Sequence, residues 1–191
     1  MRELSTRYSG GLVIFSGANG YTYRMYLPVI VCIGSSGVVG DALGPMVADL
    51  LRAVHKLPAY VYGGLKRPVN GLNYARYKEF LLKRHPENFI IAVDACVGAE
   101  KDVGSIKYSA GGLRAGGALN KDLGRIGDIG ILGVVAPRGE DNLMQLMNAP
   151  YSLVERLSEK IAAKVARLVY GSAPGKSGAK APYTKQTYSL Q

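Results

Sequence analysis

Cysteine and histidine are scarce, acids are outnumbered by bases, and no apolar run is long; each shortage removes a class of protein. Two cysteines, Cys32 and Cys96, lie in or beside apolar runs. That suits packed, reduced thiols in a reducing compartment and excludes a disulfide framework. The two histidines, His55 and His85, fall in the predicted first helix and in the loop before the predicted third strand. Neither is spaced to join a zinc or nickel site, so no metal and no cofactor are expected. The longest apolar stretches are short and broken by glycine, and no basic-then-apolar segment opens the chain. A soluble protein without a membrane span or signal peptide is therefore expected. The 14 acids against 24 bases give a net charge of +10. The bases are scattered, some in a tail at Lys176, Lys180 and Lys185, and no zinc-finger, helix-turn-helix or RNA-binding signature accompanies them. Charge alone names no partner, and no specific nucleic acid is expected.

What is present is an alternation of buried strands and amphipathic helices. In 191 residues that are 48% hydrophobic there is material for one sizeable core. Residues 1–26 are Gly-rich and read as an arm or short hairpin; residues 27–170 read as one α/β domain. Residues 171–191 lose periodicity, cannot bury enough apolar surface to offset their ordering entropy, and read as a disordered basic tail. PVIVCIG (28–34) is a strand buried on both faces, and 44–57 a helix carrying Val47, Leu50, Leu51 and Val54 at helical spacing. Ala59 to Tyr62 is a second strand, 73–84 a second helix, and NFIIAV (88–93) a third strand ending at Asp94. GSIKYS (104–109) and IGILGVVAP (129–137) continue the pattern less regularly. A long helix over 150–170, with Leu153, Val154, Leu157, Ile161, Val165 and Leu168 on one stripe, closes the domain. The fold class is three-layer α/β, with a mostly parallel sheet covered by helices on both faces.

Such sheets hold ligands at the carboxyl ends of strands near a topological switch point. With strand order 2-1-3, the loop after the first strand would bring Asp41 to the same crevice as Asp94. Two close carboxylates cannot both ionise cheaply, so one can keep a proton while the other acts as a base on water. The plainer reading makes Asp41 a helix cap worth about 1 kcal/mol and Asp94 a residue that ties down a turn. Cys96 has no histidine partner that would make it a nucleophile. The loop GSSGVVG (34–40) lacks the ending of a P-loop and the spacing of a dinucleotide fingerprint.

The segments CIGSSGVVGDALGP (32–45), VYGGLKRPVNGLN (61–73), FIIAVDACVG (89–98) and VGSIKYSAGGLRAGGALNKDLGRIGDIGILGVV (103–135) resemble, in order and spacing, the YyaC-type sporulation family. More distantly the chain is similar to the spore germination protease, through DALGP around a first aspartate and VDA around a second. The hydrogenase-maturation endopeptidases share the fold type. The resemblance implies a fold like that of these proteases, within the broader phosphorylase/hydrolase-like class. It also implies an aspartate-dependent endopeptidase of the cytoplasm, forespore or spore interior, acting on a protein or peptide substrate. By motif, Asp41 and Asp94 correspond to the protease's acidic positions, while Gly116, Asn120 and Lys121 correspond to a glycine-rich stretch that would contact substrate, with Asn120 and Lys121 alternatively steadying the two aspartates. The chain departs from its relatives at Ala115-Gly116-Gly117 and in having no histidine where the hydrogenase-maturation group binds metal. A non-catalytic, peptide-binding regulator with the same fold is the alternative, and homo-oligomerisation is left open.

Overall fold

The computed structural model describes residues 5–9, 12–16, 22–114 and 124–171. Three short strands, β1 (Ser5–Ser9), β2 (Leu12–Ser16) and β3 (Thr22–Tyr26), form an antiparallel sheet in that order. The amino-terminal arm or hairpin of the sequence reading is thus a three-stranded meander. Its segments LVIFS and TYRMY are rich in the β-branched and aromatic residues that favour strands.

The main sheet is built from β4 (Val29–Cys32), β5 (Tyr60–Tyr62), β6 (Ile90–Gly98), β7 (Ile106–Ala110) and β10 (Ile129–Pro137), in the order β5-β4-β6-β10-β7. The first four are parallel and β7 is antiparallel to β10. The 2-1-3 order expected for the first three strands is present. A small ribbon, β8 (Leu113–Arg114) with β9 (Arg125–Ile126), flanks the sheet.

Period-two alternation divides the strands between two helical layers. Ile30 and Cys32 of β4 pack with Leu43, Val47 and Leu51 of α1 (Leu43–Ala53) and with Leu157 and Ile161 of α4 (Tyr151–Gly171). Val29 and Val31 pack on the other face with Tyr74 and Leu81 of α2 (Tyr74–Arg84). Each fully buried aliphatic side chain of this kind contributes about 1.5–3 kcal/mol relative to exposure. Within α4, Val154, Leu157, Ser158, Ile161, Ala162, Val165 and Val169 make a continuous buried stripe. The Ser158 hydroxyl donates to the Val154 carbonyl at 2.8 Å and lies 3.4 Å from that of Leu43, so it is satisfied where α4 crosses α1.

Several boundaries differ from the sequence reading. Helix α1 stops at Ala53 rather than 57, because the chain reverses through Lys56 at φ 44°; Val54 is 66% exposed and His55 lies in the turn. On α4 it is Val169, not Leu168, that faces the core. A further short helix, α3 (Asn142–Met147), was not read from the sequence at all. Asp141 caps it, its carboxylate accepting from the N–H groups of Leu143 at 2.9 Å and Met144 at 3.1 Å. Of residues 171–191, which the sequence suggests as a disordered tail, Gly171 is the last residue of α4 and 172–191 lie outside the described residues.

Candidate active site

The third predicted strand does not end at Asp94. β6 runs on to Gly98 because β10 pairs with it as far as Pro137. On the other side β4 stops: its last partner pair is Cys32 with Val93, and the Ile33 N–H closes onto the Val93 carbonyl at 2.7 Å. Asp94 is therefore the first β6 residue beyond the end of β4, still paired with Leu132 of β10. The switch point is a notch in the sheet rather than the end of a strand.

Asp41 is brought to this notch by the loop that leaves β4. Gly34 has φ 146°, outside the range that L-residues adopt comfortably, and its N–H donates to the Val69 carbonyl at 2.8 Å. Gly44, in the first turn of α1, packs against Ile33 so closely that a Cβ there would stand 2.1 Å from the Ile33 carbonyl oxygen. Between them a 3-10 turn, Gly40–Ala42, carries Asp41. The amino cap of α1 is Ala42, with no side-chain capping bond, so Asp41 does not cap that helix. Nor does Asp94 tie down a turn. It sits within β6, and its carboxylate accepts the N–H of the next residue, Ala95, at 2.8 Å.

Burial raises both carboxyls above their ordinary range. Asp94 is displaced much further, first by burial and then by the negative charge of Asp41, against one opposing hydrogen bond from the Ala95 backbone. For Asp41 burial is the main cause, partly offset by the backbone N–H of Ser35. Because the two charges disfavour each other, the pair gives up its two protons in separate steps, and between those steps one carboxylate and one carboxylic acid coexist at the notch.

Tyr74, which sequence reasoning did not single out, belongs to the same face. Its ring is buried, and its hydroxyl donates to the Gly124 carbonyl at 3.2 Å. Burial and the Asp94 charge push its pKa up to about 12. Nothing in the periodicity of helix 2 marks it, because only the packing of α2 over β6 brings it to Asp94. Cys96 is half-buried, with a thiol raised to about 11 by burial and then by the Asp94 charge. Cys32 is buried, and its thiol is raised further. His85 is buried at the far end of α2, where Tyr62 Oη and its Nε2 share a hydrogen bond of 2.8 Å. Gly116, Asn120 and Lys121 lie outside the described residues. Among the described residues no group of three or more His, Cys, Asp and Glu side chains converges on one point. Among the described residues Asp41 and Asp94 have no histidine beside them, and the neighbouring Cys96 thiol is raised to about 11, so the donors on these residues do not make a zinc or nickel set.

A family model described as "Protein of unknown function (DUF1256)" matches residues 22–164. The chain belongs to the DUF1256 family. This DUF1256 protein is 37% identical over 134 residues to "Uncharacterized protein YyaC" of Bacillus subtilis (strain 168), a match covering 70% of this chain. It spans 65% of that relative's length. Among solved structures, the NiFe hydrogenase maturation protease HycI from Thermococcus kodakarensis superposes with a TM-score of 0.51 at 20% identity, covering 75% of this chain and 92% of that one. The DUF1256 chain thus has the α/β fold of a hydrogenase maturation protease, and the suspected YyaC-type relationship holds. No helix among the described residues is long and apolar enough to cross a membrane.

Proposed function

We propose that this DUF1256 protein is an endopeptidase that activates water between Asp41 and Asp94. The observation that carries the reading is the placement of the pair: Asp94 is buried in β6 just past the end of β4, and the turn after β4 carries Asp41 close enough that its charge adds to burial in raising the Asp94 carboxyl. In this reading Asp41 ionises first and Asp94 keeps its proton. That is the arrangement by which paired carboxylates divide base and acid roles. Ionised Asp41 takes a proton from water as the water oxygen attacks the scissile carbonyl carbon, and Asp94 gives its proton to the carbonyl oxygen. The tetrahedral intermediate then collapses: the C–N bond breaks, Asp41 delivers its proton to the leaving nitrogen, and Asp94 recovers a proton from the new hydroxyl. Both side chains return to their starting states, and one peptide bond and one water have become an acid and an amine.

A protein substrate is what this chemistry would act on, and a role in sporulation or germination is what the resemblance of the sequence motifs to the sporulation family implies; both are part of the proposal. The test is incubation of parent, Asp41→Asn and Asp94→Asn proteins with a spore-protein extract across pH, with new termini read by mass spectrometry. Termini produced by the parent and by neither variant are the expected result. If no termini appear at any pH, the peptidase reading falls and a peptide-binding regulator takes its place.

A further inference from the structure

Beside the notch, on the α2 face of the sheet, a cleft of about 620 Å³ opens between β5 and α2. Asn73, Arg76, Tyr77 and Phe80 reach it at i, i+3, i+4 and i+7, so one whole face of α2 is turned to the cavity instead of the core. Its wall is aromatic and held in place. Tyr62 is hydrogen bonded to His85 and meets Phe80 edge-on at 5.8 Å, and Phe80 meets Tyr77 edge-on at 6.4 Å.

The charge on the cleft is of one sign. Arg52, Arg67 and Arg76 line it, and among the described residues no acid does. Arg52 is occupied: one guanidinium nitrogen lies 3.0 Å from Asp49 Oδ1 and the other donates to the Val61 carbonyl at 2.7 Å. The side chains of Arg67 and Arg76 are exposed and make no hydrogen bond or ion pair among the described residues. A guanidinium group with no partner offers two parallel N–H donors that match a carboxylate, and an aromatic wall beside it suits an apolar body.

The position relative to Asp94 can be read from the strand register. Tyr62 is level with Val31, and Val31 with Ala92, on one face of the sheet. Asp94 is two strands across and two residues along from Tyr62, about 12 Å by ordinary strand spacings and rise. An extended peptide covers that distance in about three to four residues. Between them runs the Arg67–Asn73 segment, fixed along β4 by the Ile33–Val69 bridge.

We propose that the Arg67–Arg76 cleft recognises an aspartate or glutamate side chain of a peptide, with a neighbouring apolar residue on the Tyr62–Phe80–Tyr77 wall. As a subsite about three to four residues from the cleaved bond, it rests on the peptidase reading; as a binding pocket it does not.

The probe is a dye-labelled Gly/Ser peptide with a central Leu-Asp-Leu, compared with its Leu-Asn-Leu counterpart by fluorescence anisotropy. Both are titrated with the full chain and with Asp94→Asn, whose binding is measured without turnover. The Asp peptide is expected to bind at least tenfold more tightly than the Asn peptide, and more weakly as salt is added. Arg67→Glu and Arg76→Glu, both on exposed side chains, should each abolish most of that preference, while Lys101→Glu at a distant exposed site should not. Equal binding of the two peptides, or a preference that survives both reversals, overturns the pocket. So does displacement of the peptide by adenosine monophosphate with higher affinity at the same arginines. Binding without cleavage by the parent would sink the peptidase reading and keep the pocket. Cleavage indifferent to both reversals would do the opposite.

Discussion

The Ser35 N–H donates to the Asp41 carbonyl at 3.2 Å, so the loop that leaves β4 closes on itself before α1 begins. This closure requires Gly34: a Cβ there would lie 2.0 Å from the Asp41 carbonyl oxygen and 3.0 Å from the Pro45 ring. Both obstacles are on the main chain or a rigid ring, so neither can swing aside. Gly34→Ala should therefore destabilise the protein by about 3 kcal/mol, seen as a lower urea midpoint with unchanged slope. It should also displace Asp41 from the notch. Unchanged stability in this variant would mean that the loop does not position Asp41 in this way.

Asp94 carries a cost that its substitution should remove. Its folded-state pKa is raised, so between the ordinary carboxylate value and the raised one the folded chain holds a proton that the unfolded chain has lost. Stability contributed by the neutral form is complete below the ordinary value and falls as pH rises through the folded one. Asn presents the same oxygen to the Ala95 N–H without the charge. Asp94→Asn is expected to raise Tm by about 3 °C or more at pH 7, with the difference vanishing below the ordinary carboxylate range near pH 3. A variant that melts lower than the parent at pH 7 would contradict the electrostatic account.

Catalysis, if it uses the pair as proposed, needs Asp41 ionised and Asp94 protonated. Because both are raised, the rate should be bell-shaped, its acid limb above the ordinary carboxyl range and its alkaline limb higher still. Asp41→Asn and Asp94→Asn should each reduce kcat/KM by about 10³-fold or more, and the double variant by little further, since the two act as one unit. A flat profile across the carboxylate range would remove both residues from the chemistry.

Much of this arrangement was legible in the sequence, and what was not has identifiable causes. PVIVCIG and IGILGVVAP announced β4 and β10, because strands buried on both faces need uninterrupted apolar runs. The proximity of Asp41 to Asp94 followed from strand order alone. The extent of β6 did not, because its continuation through DACVG depends on β10 extending beyond β4, a pairing decision made elsewhere in the chain. Helix α3 is only six residues long, too short for a periodic signal, although Asp141 ahead of NLMQLM was a readable cap. The Arg67–Arg76 cleft was invisible for a different reason: one arginine comes from the loop after β5 and the other from α2, and only the fold brings them to one cavity.

Cys96 stands two residues beyond Asp94 in β6 and is the side chain most easily mistaken for a nucleophile. Adjacent residues in a strand alternate faces, so position 96 points the same way as position 94. The neighbourhood nevertheless works against thiolate formation. Burial and the Asp94 charge raise its pKa to about 11, and they outweigh the attraction of Lys107 and Arg138. At pH 7 the reactive thiolate is then scarcer than for a free cysteine by a factor on the order of a few hundred. Alkylation by iodoacetamide should be correspondingly slow and should quicken as pH approaches 11, and Cys96→Ser should retain the parent's rate of peptide cleavage. Rapid modification at neutral pH together with loss of cleavage in Cys96→Ser would transfer the nucleophile's role from water to the thiol, with the two aspartates reduced to its surroundings.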